Sequence, residues 1–278
     1  MSVTTSPRPS YDEKVAAAVG SGDAPAGAGG VSTSLTFGWR ALLKIKHVPE
    51  QLLDVTMFPL MFILMFTYVF GGAIMGSPDG YLPYVVPGIL VQTVVMITMY
   101  TAMTINNDIQ KGVFDRIRAL PVWRPSLLVG ALLGDTLRYT MASVVILGVS
   151  LLMGYRAPGG VTGVVLAVLL LLAFCFSLSW LWTLLGLRLR TPESVMGVSM
   201  TVLFPLTFIS NVFVPKESMP GWLQGVVTVN PVTHLVDATR GFMDGSPDMG
   251  AVATVLVMSG ALVAVFGPLT MYVYNRKS

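Results

Sequence analysis

Charge is scarce in this chain. Only 11% of its 278 residues are Asp, Glu, Lys or Arg, where a soluble domain carries about a quarter. With 54% hydrophobic residues and a mean hydropathy of +0.73, such a chain aggregates in water unless a bilayer solvates it. The single cysteine, Cys175, excludes an intrachain disulfide. A formal net charge of +3 is too small for nucleic-acid affinity. Catalytic signatures are missing as well: there is no G-x-x-x-x-G-K-[ST] phosphate loop, no H-E-x-x-H and no G-x-S-x-G. The chain therefore does not bind nucleotide in that way, and it offers no constellation for an intramembrane enzyme. Acidic residues fall almost wholly at the ends of apolar runs or between them, so the mid-membrane acid–base pairs of a proton-coupled pump are not found.

What the chain does have is apolar length. Six segments, near 55–75, 84–105, 127–153, 161–187, 195–214 and 250–274, are long enough to cross roughly 30 Å of hydrocarbon as helices. Helices are required because backbone polar groups find no water in lipid. The expectation is an all-α integral membrane protein whose six-span domain covers 55–274, with a cytoplasmic end at 275–278. Residues 1–34, rich in Ser, Thr, Pro, Gly and Ala, read as a flexible tail without the apolar run of a signal peptide. Residues 35–54 mix apolar side chains with cations, which suits an amphipathic helix on the inner leaflet.

Orientation follows from the cations. With both termini in the cytoplasm, only Arg156, Lys216 and Arg240 of the 17 Lys and Arg residues lie outside. His47 and His234 then fall on opposite sides of the membrane and share no metal. The long outer stretch 215–249 is half apolar and divided by Pro220 and Pro231, so two short re-entrant or interfacial helices fit it. No internal repeat is evident, which argues against an inverted-repeat carrier.

Three motifs occur in order: Asn106-Asn-Asp-Ile-Gln-Lys-Gly-Val-Phe-Asp-Arg-Ile-Arg-Ala-Leu-Pro-Val122 in the main cytoplasmic loop, Phe204-Pro-Leu-Thr-Phe-Ile-Ser-Asn-Val-Phe-Val-Pro215, and Asn230-Pro-Val-Thr-His-Leu-Val-Asp-Ala-Thr-Arg-Gly241. Together they resemble the membrane subunits of type-2 ABC exporters, most closely the daunorubicin-resistance-type permeases of actinobacteria, over roughly residues 35–278. Gly112 is followed by Val113, and Asp115 stands where Glu is common, which fits the drug-resistance subgroup. The resemblance implies a permease subunit in the bacterial plasma membrane that carries an amphipathic drug or antibiotic outward. It implies a homodimer of this chain with two copies of an ABC ATP-binding subunit, ATP and Mg²⁺ sitting on that partner and no cofactor on this chain. A lipid or glycolipid exporter of the same class is the alternative, and a stand-alone carrier or channel a more distant one.

Against that background, residues 108–120 are expected to form a coupling helix that docks into the ATP-binding subunit. Gly112 and Pro121 punctuate it, Val113, Phe114 and Ile117 share an apolar patch, and Asp115, Arg116 and Arg118 flank that patch with charge. Candidates for lining the route are Met57, Met61 and Met65, one face of the first span, with Met96 on the second and the polar Gln92, Ser177, Ser210 and Asn211. Methionine faces adapt to varied ligands, while ordinary packing and intrahelical hydrogen bonds explain the same residues. In the outer segment, Trp222 is expected at the interface, Asn230 and Pro231 at a helix start, and Asp237 paired with Arg240 at i+3. Asp135 and Arg138 have the same spacing and are expected to neutralise each other.

Overall fold

The computed structural model describes Met57, residues 59–113 and residues 126–276, and every regular element among them is helical. The tail at 1–34 and the amphipathic segment at 35–54 lie outside the described residues. Helix α1 (Pro59–Met75) is apolar but short, and its middle, Met65–Phe70, is wound as a π-helix. Helix α2 (Pro78–Gln110) follows, tightened at Thr98. Then come α3 (Ser126–Leu152), α4 (Gly160–Arg188) and α5 (Pro192–Phe208), a 3₁₀ turn at Lys216–Ser218, α6 (Gly221–Val229), α7 (Pro231–Asp244) and α8 (Met249–Arg276). Four of these, α2, α3, α4 and α8, are long and apolar enough to cross a bilayer.

The starts of three helices are written in the sequence. Ser77, Thr191 and Asn230 each precede a proline at the first helical position, and each side chain accepts from a backbone N–H of the first turn. Asp248 does the same for α8, accepting from Gly250 N at 2.8 Å. The second apolar run accordingly begins at Pro78 and ends at Gln110, wider than 84–105.

The fifth run differs more. Expected as one span over 195–214, it is helical only to Phe208, and residues 209–214 form an irregular bend. Ser210 and Asn211 explain the stop, because short polar side chains compete for backbone groups. The Ser210 hydroxyl donates to the Thr207 carbonyl at 2.5 Å, and Pro215 closes the segment.

Helix α2 is the innermost element: Val85, Val86, Ile89, Leu90, Val91, Val94 and Val95 are fully enclosed. Helix α4 packs beside it through Leu171, Phe174, Cys175 and Trp182. Helix α8 instead turns Leu256, Val257, Val265 and Tyr272 outward, an apolar surface that only lipid or another apolar partner can solvate. Backbones approach closely where side chains vanish. At Gly88 a Cβ would collide with the Val212 carbonyl, and at Gly163 with the Phe242 carbonyl.

Candidate functional site

A cavity of about 310 Å³ lies between α1, α2 and α5, within the range of small-molecule pockets. Phe62 closes it from α1. Helix α2 contributes Gln92, Thr93, Met96 and Tyr100, and α5 contributes Met196, Met200, Phe204 and Phe208. The α5 residues recur every four positions and so share one face of their helix. Aromatic rings stack at one end: Phe204 on Phe208 with centroids 4.2 Å apart, and Phe66 on Phe213 at 4.1 Å. Two polar side chains of the described wall are almost wholly enclosed, Gln92 at 5% and Thr93 at 8% exposure. Neither has a hydrogen-bond partner among the described residues.

Of the residues expected to line a route, Gln92 and Met96 lie in the wall of this cavity. Met57 and Met61 point outward at 58% and 53% exposure. Ser177 donates within its own helix to the Ala173 carbonyl at 2.8 Å. Ser210 and Asn211 lie in the bend after α5, outside the cavity wall. The face Met196, Met200, Phe204 and Phe208 went unremarked in the sequence, although its period of four was a usable signal.

Behind the cavity, Tyr100 faces Arg138, whose guanidinium lies 6.0 Å from the ring centroid and pairs with Asp135 at 3.1 Å. The next residue, Tyr139, is buried and shares hydrogen bonds with Thr101 at 3.1 Å and Ser179 at 2.9 Å, joining α2, α3 and α4.

A second polar node holds the bend. Arg240 stacks on the Tyr84 ring at 3.9 Å, donates to the Tyr84 and Asn211 carbonyls at 3.1 and 3.3 Å, and lies 3.5 Å from Asp237. Asn211 donates its amide N–H to Asp237 at 2.5 Å. Tyr84 and Tyr81 donate to the Asn211 and Phe213 carbonyls, and Asn230 to those of Leu206 and Ile209. Non-helical backbone is tolerated at membrane depth only when so satisfied. The same end holds Tyr155, whose hydroxyl is pushed up to about 12 by burial and then by Asp244. Burial raises the Asp244 carboxyl, opposed by Arg240. Trp222 on α6 stands out at 76% exposure.

The opposite end is clamped by amides. Asn106 donates to the Gly186 and Leu189 carbonyls at 3.0 and 2.7 Å, and Gln110 to the Arg190 carbonyl at 2.9 Å. Gly112, at φ +65°, then leads the chain out of α2 in the left-handed conformation. Val113 is the last described residue there; Phe114, Asp115, Arg116, Ile117, Arg118 and Pro121 lie outside the described residues.

Residues 34–243 match the family model described as ABC-2 type transporter. The chain is 51% identical over 257 residues, 92% of its own length and 91% of the relative's, to the daunorubicin resistance ABC transporter permease protein DrrB1 of Streptomyces coeruleorubidus. It is 25% identical over 221 residues, 79% of this chain and 80% of the other, to the probable doxorubicin resistance ABC transporter permease protein DrrC of Mycobacterium tuberculosis. The inner membrane transport permease YadH of Escherichia coli is 25% identical over 218 residues, 75% of this chain and 82% of the other.

Proposed function

Because the chain belongs to the ABC-2 type transporter family, we propose that it is the permease subunit of an ATP-driven exporter that carries an amphipathic drug out of the cell. The likeness to the daunorubicin resistance permease along almost the whole chain carries this reading. The cavity between α1, α2 and α5 supports it: apolar walls with two buried polar groups suit a compound that is mostly flat and greasy with a polar edge.

The family implies an ATP-binding partner subunit. On our reading two such partners, each holding ATP and Mg²⁺, serve two copies of this chain in the bacterial plasma membrane. The chain crosses six times with both ends in the cytoplasm, α1 and α5 being the two shorter crossings. Helix α5 has 17 residues, about 26 Å of helix, and the bend at 209–214 supplies the remaining depth. The segment from Gly112 to Pro121 docks on the partner, with Phe114 as its apolar anchor amid Asp115, Arg116 and Arg118. Helices α6 and α7, bearing Trp222, Asn230, Pro231, Asp237 and Arg240, cap the exit.

Uptake of a fluorescent amphipathic drug into inside-out vesicles tests the proposal. Vesicles holding the chain and its ATP-binding partner should accumulate the drug with ATP, and the chain alone should not. Met200→Trp, which fills the cavity, should cut uptake severely. Phe114→Ala should remove a contact of about 2 kcal/mol and lower both uptake and co-purification of the partner. ATP-independent uptake by the chain alone would overturn the proposal.

A further inference from the structure

We propose that Gln92 is the specificity-determining residue of the α1–α2–α5 cavity, and that the cavity takes a flat, uncharged polycyclic compound bearing an adjacent hydrogen-bond donor and acceptor on one edge. The inference rests on reading that cavity as the transport site. Gln92 sits near the midpoint of α2, 5% exposed, lining the cavity and without a hydrogen-bond partner among the described residues. Its amide opens onto the cavity rather than onto a protein partner, so a compound that displaces water from it without replacing those hydrogen bonds loses affinity. Compounds that satisfy it are therefore favoured over compounds of the same shape that do not. A primary carboxamide offers a carbonyl acceptor and an N–H donor side by side. Its complement is the reverse pair: a cis-lactam, an imide or a hydroxy-ketone. Thr93, the next residue and also 8% exposed, adds one hydroxyl to the same rim.

The rest of the wall selects shape and charge. Phe204 and Phe208 lie stacked with an interplanar angle of 21°, so their ring faces suit a flat ligand edge or face. Met96, Met196 and Met200 adjust to its outline. No Asp, Glu, Lys or Arg is among the described lining residues. Arg138, 6.0 Å from the ring of the lining residue Tyr100, is already paired with Asp135 at 3.1 Å. A charged ligand would thus meet no counter-charge among the described lining residues, at a large desolvation cost.

Two probes of one tricyclic outline separate the possibilities: phenanthridin-6(5H)-one, a cis-lactam, and phenanthrene. Their binding is followed by intrinsic fluorescence to the full-length chain with its ATP-binding partner in lipid nanodiscs, after subtracting partition into empty nanodiscs. The lactam should bind about tenfold tighter than phenanthrene or better. Gln92→Leu should bring that ratio close to one by weakening the lactam alone, and Gln92→Met should do the same, so that a folding defect in one variant does not decide the matter. Met200→Trp should weaken both probes. If both probes bind, Met200→Trp weakens both, and the ratio survives in Gln92→Leu and Gln92→Met, the role of Gln92 is overturned while the cavity reading stands. If Met200→Trp leaves binding of both unchanged, or neither probe binds the wild type, the cavity reading fails and takes this inference with it.

Discussion

Arg240 sits where α2, α7 and the bend after α5 meet. Its guanidinium lies over the Tyr84 ring, 3.9 Å from the centroid, while its N–H groups reach two carbonyls and Asp237. That combination of stacking and a forked donor is specific to arginine. Arg240→Met should lower thermal stability by about 2 kcal/mol, because the Tyr84 and Asn211 carbonyls lose a charged donor. Arg240→Lys should recover less than half of the loss, since an ammonium cannot stack and fork together. Melting of the purified protein in detergent checks both, and full stability of the Lys variant would show that charge alone holds the bend. The Asp237 spacing was legible in the sequence. The Tyr84 and Asn211 contacts were not, because they join positions 156 and 29 residues away along the chain.

At the scale of elements, the docking of α7 on α4 depends on missing side chains. The Gly159 N–H donates to the Met243 carbonyl at 2.8 Å, and one turn later Gly163 lies against the Phe242 carbonyl with no room for a Cβ. Gly163→Ala must therefore push α7 away from α4, an overpacking cost of about 1–3 kcal/mol. Gly148, about one turn from the C-terminal end of α3, has nothing within 4 Å of a built Cβ. Gly148→Ala should be neutral or stabilising, since alanine is the better helix former. Folded yield and melting temperature of the pair form the measurement, and equal behaviour of the two variants would contradict the tight α4–α7 seam. Helix starts were readable from Ser77-Pro78, Thr191-Pro192 and Asn230-Pro231. The end of α5 at Phe208 was harder, since Ile209–Val214 is apolar enough to read as span, and its bend is held by Tyr81, Tyr84, Asn230 and Arg240 from elsewhere.

The whole molecule has two distinct ends. Tyr84, Tyr155, Asn211 and Arg240 mark one, and Asn106, Gln110, Gly186 and Arg190 the other. In the orientation proposed from the cation asymmetry, the second faces the cytoplasm. Cysteines placed at Asp79, Arg156 and Glu217 should then react with an impermeant thiol reagent on intact cells, and cysteines at Lys111 and Arg188 should not. The background is Cys175→Ala, which removes one buried thiol. Labelling of the Lys111 site from outside would reverse the orientation.

The sequence by itself determined that this chain is helical and built for lipid, and it carried enough motif to indicate its family. Those properties depend on composition, on apolar run length and on local caps, all of which are set by neighbours along the chain. Only the tertiary structure decided which faces meet. It turned Met57 and Met61 outward, chose Phe62 instead, and set it opposite Met196, Met200, Phe204 and Phe208. A methionine repeat looks the same whether it faces lipid, core or cavity, because the bilayer exerts no preference among apolar faces. The choice was made by α2, whose close backbone approach to Val212 at Gly88 and to the bend after α5 leaves Gln92 buried against open space.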